Sequence, residues 1–483
     1  MSFSHHIFKP KNPEELLQLL VHVQNKSRQK NHRLLLSLSM EVSYLEPLAV
    51  LQSIKEPDKS YFYWKDPWTS FSVATSDYVW QVETDGKNRF INLQNILEKE
   101  LYPYVITSGE VVPQDCGFSI YTNYNFEATV TDFNQSPFPA AQVTIPRWQI
   151  CTKAHRYFTT ANLWIDSSTD LEETTLKVWL ARKKFEGFEY ADKVENLVDN
   201  PSLRLVVESF SAKGYQAQVK KAINQIQAGN YQKVVLSRYQ QWITSEDWPV
   251  LALVNKLRYQ FPNCYTYSIG DSLGNHFIGA TPESLFEVQG DQLLTASLAG
   301  TVVRSRSASK DAKLGKSLLH SSKNLSEQDW VTRMICEKLE ELGLSTQTEK
   351  TPRLLQLSNL QHLKTSITAK IPSNVSPFAI LQDLHPTAAL GGYPQEEAVN
   401  SIYELEKYER GLYGGGFGRI FPNGDSHFLV LIRGARIYKN LVRFYAGGGV
   451  VAESDPEEEY NETENKLESI RRIFGIKNKL GVS

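Results

Sequence analysis

The segment Lys233-Val234-Val235-Leu236-Ser237-Arg238 puts a cation on each face of a strand. Side chains alternate along a strand, so Lys233, Val235 and Ser237 share one face and Val234, Leu236 and Arg238 the other. Both faces therefore mix apolar residues with a charge, which an ordinary half-buried strand avoids. A lysine drawn into an apolar sheet loses hydration, which favours the neutral amine and suits it to act as a general base. The alternative is a lysine snorkelling at a strand end.

A chain of 483 residues, 41% of them hydrophobic, can bury a large core and is too long for one small domain. The formal net charge of −2 removes the electrostatic case for nucleic acid or an anionic membrane as main partner. Cys116, Cys151, Cys264 and Cys336 lie far apart without a CxxC pair, which argues against a zinc site or disulfide framework and fits a reducing compartment. No apolar run approaches the roughly 20 residues of a spanning helix. The start Met1-Ser2-Phe3-Ser4-His5-His6 lacks the basic and apolar regions of a signal peptide. A soluble, cytoplasmic protein is expected.

Residues 1–205 are rich in aromatics and short alternating runs, such as Tyr61-Phe62-Tyr63-Trp64 and Ser70–Trp80, which read as strands. The polar, charged segment Glu186–Pro201 reads as a linker. Tyr215–Ala228 carries a helical stripe of Val219, Ala222, Ile223 and Ile226, closed by Gly229. Turn signals at Gly270-Asp271 and Gly290-Asp291 separate alternating runs and predict antiparallel hairpins. Ser326–Leu342 reads as an amphipathic helix starting in a capping box, Ser326-Glu327-Gln328-Asp329. Leu412–Val451 reads as a meander turning at Asn423-Gly424 and Lys439-Asn440, and a last helix starts at Asp455-Pro456. Helices alternate irregularly with hairpins, so the expected fold is α+β with large antiparallel sheets rather than a doubly wound parallel sheet.

Several residues could carry chemistry. In His427–Ile437, read as one strand, Arg433 shares a face with Leu429, Leu431, Ala435 and Ile437. A buried arginine needs an anionic partner, and its fork suits a carboxylate, either a ligand's or an internal glutamate's. Gly447-Gly448-Gly449 lets the backbone approach a ligand and offers N–H donors, or marks a twisted strand end. Glu459, Glu462 and Lys466 line one face of the last helix beside a core-facing stripe of Tyr460, Thr463, Leu467, Ile470 and Phe474. Two close carboxylates call for a cation, and hard oxygens suit Mg²⁺. Acidic residues are also favoured in any first helical turn, which accounts for Glu457 and Glu458 and covers Glu327 as well. Glu283, after Thr281-Pro282 between two strands, is a general acid if its surroundings raise its pKa, or the start of a turn. His362 and His385 stand alone without metal-ligand spacing.

Together these segments resemble the chorismate-utilising enzymes, the family of isochorismate, salicylate, anthranilate and aminodeoxychorismate synthases. The resemblance rests on Lys233–Arg238, Gly279-Ala280-Thr281-Pro282-Glu283, Leu298-Ala299-Gly300-Thr301 and Lys323–Val331. It continues through His385-Pro386-Thr387, Arg410-Gly411-Leu412-Tyr413, Leu431-Ile432-Arg433 and Tyr445–Lys466. Each segment alone is weak, but the set in the family's order is specific. It implies antiparallel sheets packed face to face with helices outside, residues 206–480 forming the chorismate-binding region and residues 1–205 a variable N-terminal part of the same fold.

By this resemblance Lys233 is the general base that activates water for attack on C2 of chorismate, and Glu283 the acid that protonates the leaving C4 hydroxyl. Glu327 and Glu462, with Glu459 close by, match the Mg²⁺ ligands. Arg433, Tyr413 and the backbone of Gly447 and Gly449 match the side-chain carboxylate site. Gly300, Thr301, His362, Thr387 and Lys466 match other pocket residues. One departure is Glu327-Gln328, where the family often has Glu-His.

Lys233 argues against the ammonia-using anthranilate synthases, which carry glutamine there, because water must be deprotonated and ammonia need not be. Ala299 argues against aminodeoxychorismate synthase, where many members have a lysine. Isochorismate synthase of the menaquinone and phylloquinone branch is the expected activity, with salicylate synthase and a non-catalytic chorismate-binding homologue as alternatives. A monomer acting on a small molecule, without a glutamine amidotransferase subunit, is expected.

Overall fold

The structure is a computed structural model and describes residues 4–7, 10–110, 112–188, 203–357 and 360–476. Most of the segment expected to be a linker lies outside the described residues. Alternating, aromatic-rich runs become strands throughout, and 22 of them hydrogen-bond into one continuous network among the described residues. The ladders are antiparallel except where Val105–Gly109 pairs with Ser4–Ile7 and Leu34–Val42.

The N-terminal part is stitched into the rest by backbone pairing. Tyr61–Lys65 runs antiparallel to Tyr265–Gly270, and Ile120–Tyr124 to Gly416–Ile420. Their inward residues meet in an aromatic core of Phe62, Trp64, Tyr121, Tyr267, Phe277 and Phe417, with the Phe62 and Phe417 rings stacked 5.0 Å apart. Truncating such a buried ring to alanine costs about 3–5 kcal/mol. Helices cover the outer faces. Ala212–Gln227, predicted from its apolar stripe, packs Tyr215, Val219 and Ala222 against Val234 and Leu236. Pro456–Arg471 packs Leu467 and Ile470 against Phe444 and Ala446. The fold is thus α+β, with antiparallel sheets and outer helices. Among the described residues no helix is long and apolar enough to cross a membrane.

Two local expectations need correction. The meander is interrupted: Ser426–Val430 pairs with Ser284–Gln289 and Gly416–Ile420, whereas Gly434–Tyr438 pairs with Asn275–Thr281 and Leu441–Val450. Between them Arg433 takes φ +50, so it is a kink residue and not a strand residue. The chain breaks there because Leu431 turns to Gly414 and Gly415, while the Arg433 carbonyl accepts from Ala280. The second correction concerns the helix expected to begin at Ser326. It spans Ser322–Glu341, because Ser321 caps it by accepting the Asn324 N–H. Glu327 therefore lies inside the helix, past the first turn.

Candidate active site

The Lys233–Ile243 strand carries charge on both faces because both faces are covered. On one, Arg238 ends the row after Val234 and Leu236. It donates from Nε to Thr463 Oγ1 at 2.8 Å, pairs with Glu464 and lies over the Tyr460 ring. On the other, Lys233 and Val235 line a cavity of about 100 Å³, and Ser237 donates both N–H and Oγ–H to Glu406. Glu406 accepts from Arg410 Nε at 2.9 Å, and the Arg410 Nη1 and Nη2 atoms donate to the carbonyls of Leu390 and Val235. Arg410 and Glu406 are buried. They clamp the strand one turn of its pleat away from Lys233.

Lys233, Glu283, Gly300, Thr301, Glu327 and His362 line the cavity. So do Tyr413, Arg433, Gly447, Gly449, Glu462 and Lys466. Residues from distant segments converge because the Leu441–Val450 strand lies beside the lysine strand, with Gly449 opposite Val235 and Gly447 opposite Ser237. Thr387 and Glu459 are buried outside the lining. Sequence reasoning missed Tyr445, which lines the cavity and stacks on Tyr413 at 5.2 Å. Its signal was the two-residue spacing it shares with Gly447 and Gly449.

The glycines leave room for carboxylates. A Cβ at Gly449 would stand 2.1 Å from Glu327 Oε1 and 3.0 Å from Lys233 Cε. On the opposite face, a Cβ at Gly448 would meet Glu459 Oε2 at 3.1 Å. The helices bearing these acids are held as their sequences require. Asp455 caps the Pro456–Arg471 helix by accepting the N–H groups of Glu457 and Glu458. Gln328, where the family often has histidine, is buried and donates to Ser297 and Thr365, anchoring its helix to two strands.

Each of the three glutamates holds a lysine. Lys233 Nζ lies 3.2 Å from Glu327 Oε1, Lys466 Nζ 2.7 Å from Glu462 Oε1, and Lys323 Nζ 2.7 Å from Glu459 Oε1. Lys466 also donates to the Gly447 carbonyl. Among the described residues, no three His, Cys, Asp or Glu side chains converge as a ready metal cage. The donor chemistry nevertheless suits a hard divalent cation: three carboxylates brought from two helices. Burial and the neighbouring Glu462 push the Glu459 carboxyl up to about 7, although Lys323 pulls it down.

Glu283 sits under different control. Burial pushes its carboxyl up to about 7, against the pull of Lys233, Arg433 and Lys466. It is therefore a proton donor near neutral pH, with cations around it to stabilise the carboxylate it leaves. Across the cavity Arg433 Nη2 donates to His362 Nε2 at 2.5 Å, while His362 Nδ1 lies 3.1 Å from Thr301 Oγ1. Burial, then Arg433 and Lys466, hold the imidazole well below its usual pKa, so it accepts from arginine as the neutral ring. The Arg433 guanidinium also lies against the buried Cys264, and its Nη1 has no oxygen or nitrogen acceptor. A guanidinium left incomplete in this way is suited to bind an incoming carboxylate.

This geometry defines a pocket for a small anion, with an acid, a lysine and a carboxylate cluster around it. The chain belongs to the chorismate-binding enzyme family, whose model matches residues 20–475. It is similar to the isochorismate synthase MenF of Bacillus subtilis, 27% identical over 94% of this chain and 97% of that protein. It is also similar to the salicylate biosynthesis isochorismate synthase of Pseudomonas aeruginosa, 35% identical over 54% of each chain. Among solved structures, the menaquinone-specific isochorismate synthase of Escherichia coli shares the fold at a TM-score of 0.74 and 22% identity, over 94% of this chain and 99% of that one.

Proposed function

We propose that the protein isomerises chorismate to isochorismate, with Lys233 as base and Glu283 as acid. Lys233 takes a proton from a water as the water oxygen bonds to C2. The ring double bonds shift, the C4–O bond breaks, and Glu283 gives its proton to the departing hydroxyl. Water is consumed and released, so atoms balance. The observation that carries this reading is one cavity lined by a buried lysine and by a buried glutamic acid whose carboxyl burial pushes up to about 7. Arg433 Nη1 and Tyr413 hold the side-chain carboxylate, and His362 with Thr301 fixes the guanidinium. Mg²⁺, held by Glu327 and Glu462 with Glu459 behind them, would neutralise the ring carboxylate when bound. Likeness to MenF along nearly the whole chain, N-terminal part included, supports the menaquinone branch.

The test is incubation of the pure protein with chorismate and Mg²⁺, resolving products by chromatography. Isochorismate as sole product, formed without glutamine or ammonia, is expected. Prompt salicylate and pyruvate would move the reading to a salicylate synthase, and anthranilate would remove it. Absence of any conversion would leave a chorismate-binding homologue without catalysis.

A further inference from the structure

One cation beside the glutamates has no part in the chemistry above. We propose that the Lys323 ammonium neutralises the Glu459 carboxylate of this cluster in the metal-free protein and is displaced when the metal binds. This rests on the reading that Glu327 and Glu462, with Glu459 behind them, take up Mg²⁺.

Lys323 stands in the first turn of the Ser322–Glu341 helix, where the helix dipole disfavours a cation and no acidic residue accompanies it. What holds it is Glu459, 2.7 Å from Nζ and itself only 1% exposed. The other partner of Glu459 Oε1 is Ser454 Oγ, also at 2.7 Å, so without Lys323 that carboxylate has no cation bonded to it. Glu462, a second proposed ligand, lines the same outer cleft as Lys323.

Its position also keeps it out of the inner cavity that the other two lysines line. Lys233 and Lys466 line the inner cavity, whereas Lys323 lines an outer cleft of about 640 Å³ that shares Thr301, Glu462 and Lys466 with it. The Lys323 side chain is 24% exposed. An arriving cation can therefore push the ammonium into solvent in the outer cleft without disturbing the substrate pocket. Holding the carboxylates with a lysine stabilises the metal-free fold, and competition with that lysine lowers metal affinity.

The test compares the full-length wild type with Lys323→Met and Lys323→Arg. Mg²⁺ affinity is measured by calorimetry, Mn²⁺ affinity by electron paramagnetic resonance, and melting with and without a chelator. Lys323→Met should bind both metals about tenfold tighter, as expected for removing a partly buried ion-pair competitor. It should melt below the wild type in chelator and regain the difference in saturating Mg²⁺. Lys323→Arg, which keeps the charge and can fork onto Glu459, should bind no tighter than the wild type and serves if the methionine variant does not fold. Unchanged or weaker binding by Lys323→Met overturns the proposal, because structural damage or a supporting role would lower affinity. Tighter binding by Lys323→Arg also overturns it. Failure of the wild type to bind either metal removes the metal reading, and the proposal with it. Wild-type binding without the gain removes only the role of Lys323.

Discussion

Replacing Gly449 with alanine should separate chemistry from stability. The added methyl would lie 2.1 Å from Glu327 Oε1, and ordinary contact near 3.4 Å requires the carboxylate to retreat about 1.3 Å. Lys233 Cε, at 3.0 Å, must also give by a few tenths of an ångström. Both obstacles are distal atoms of flexible side chains, so the backbone need not move. The Gly449 φ lies outside the left-handed range, so alanine fits the strand, and losing glycine there is worth up to about 1 kcal/mol in its favour. We expect unfolding free energy within about 1 kcal/mol of wild type. Displacing a catalytic constellation by about 1 Å costs on the order of 10²-fold in rate, so kcat/KM for chorismate should fall by that factor. Gly448→Ala is the control: its methyl faces the helix, meets Glu459 Oε2 at 3.1 Å and Tyr215 Oη at 3.7 Å, and should lose much less activity. Chorismate consumption by chromatography and urea unfolding provide the two readouts. Turnover of Gly449→Ala close to wild type, or equal losses in the two variants, would refute the argument that Glu327 and Lys233 need this space.

Lys233→Ala should abolish turnover while chorismate still binds by calorimetry, and retained turnover would take the base role from this lysine. Turnover should decline as pH rises past about 7, as Glu283 loses its proton, and Glu283→Gln should lose that limb along with most activity. Because the folded carboxyl binds its proton more tightly than the unfolded one, it makes stability fall as pH climbs from about 4.5 to 7. Glu283→Gln should therefore gain on the wild type by about 3 kcal/mol between pH 4 and 8, and parallel stability curves would refute the burial argument. Glu406→Ala, leaving Arg410 buried and unpaired, should cost about 3–5 kcal/mol, and Glu406→Leu combined with Arg410→Leu should cost less. Urea unfolding of the two checks the order.

The sequence made most elements readable where a local signal had one meaning. Asp455-Pro456 starts its helix as expected, and Asn423-Gly424 and Lys439-Asn440 turn their hairpins. Period-two alternation failed at Arg433 because Leu429, Leu431, Arg433, Ala435 and Ile437 keep the pattern straight through the kink. The kink is imposed by Gly414, Gly415 and Ala280, which are distant in sequence. Ser326 reads as a cap, yet Ser321 offers the same side chain five residues earlier and is the one that accepts the Asn324 N–H. Of the pocket, the residues resembling a family were found together, but Lys323 carries no local sign of its neighbours, and Tyr445 only its two-residue spacing from Gly447 and Gly449. Glu459 shows the limit of helix-face reasoning: a shift of three residues from Glu462 takes it from the cavity to the far side of a strand.

The Leu441–Val450 strand has a consequence beyond making room. Across Gly447, Gly448 and Gly449 it is a partition one backbone thick, with the cavity on one side and Glu459 of the Pro456–Arg471 helix on the other, while Glu462 and Lys466 of the same helix line the cavity. Gly447 and Gly449 set the width of the chamber and Gly448 sets how closely Glu459 approaches. Parity thus lets the two be varied independently. A methyl at an odd position trims the space for ligands, while one at Gly448 moves a carboxylate from behind the wall. Substrate choice in such a pocket can drift by single substitutions that the hydrophobic core does not register.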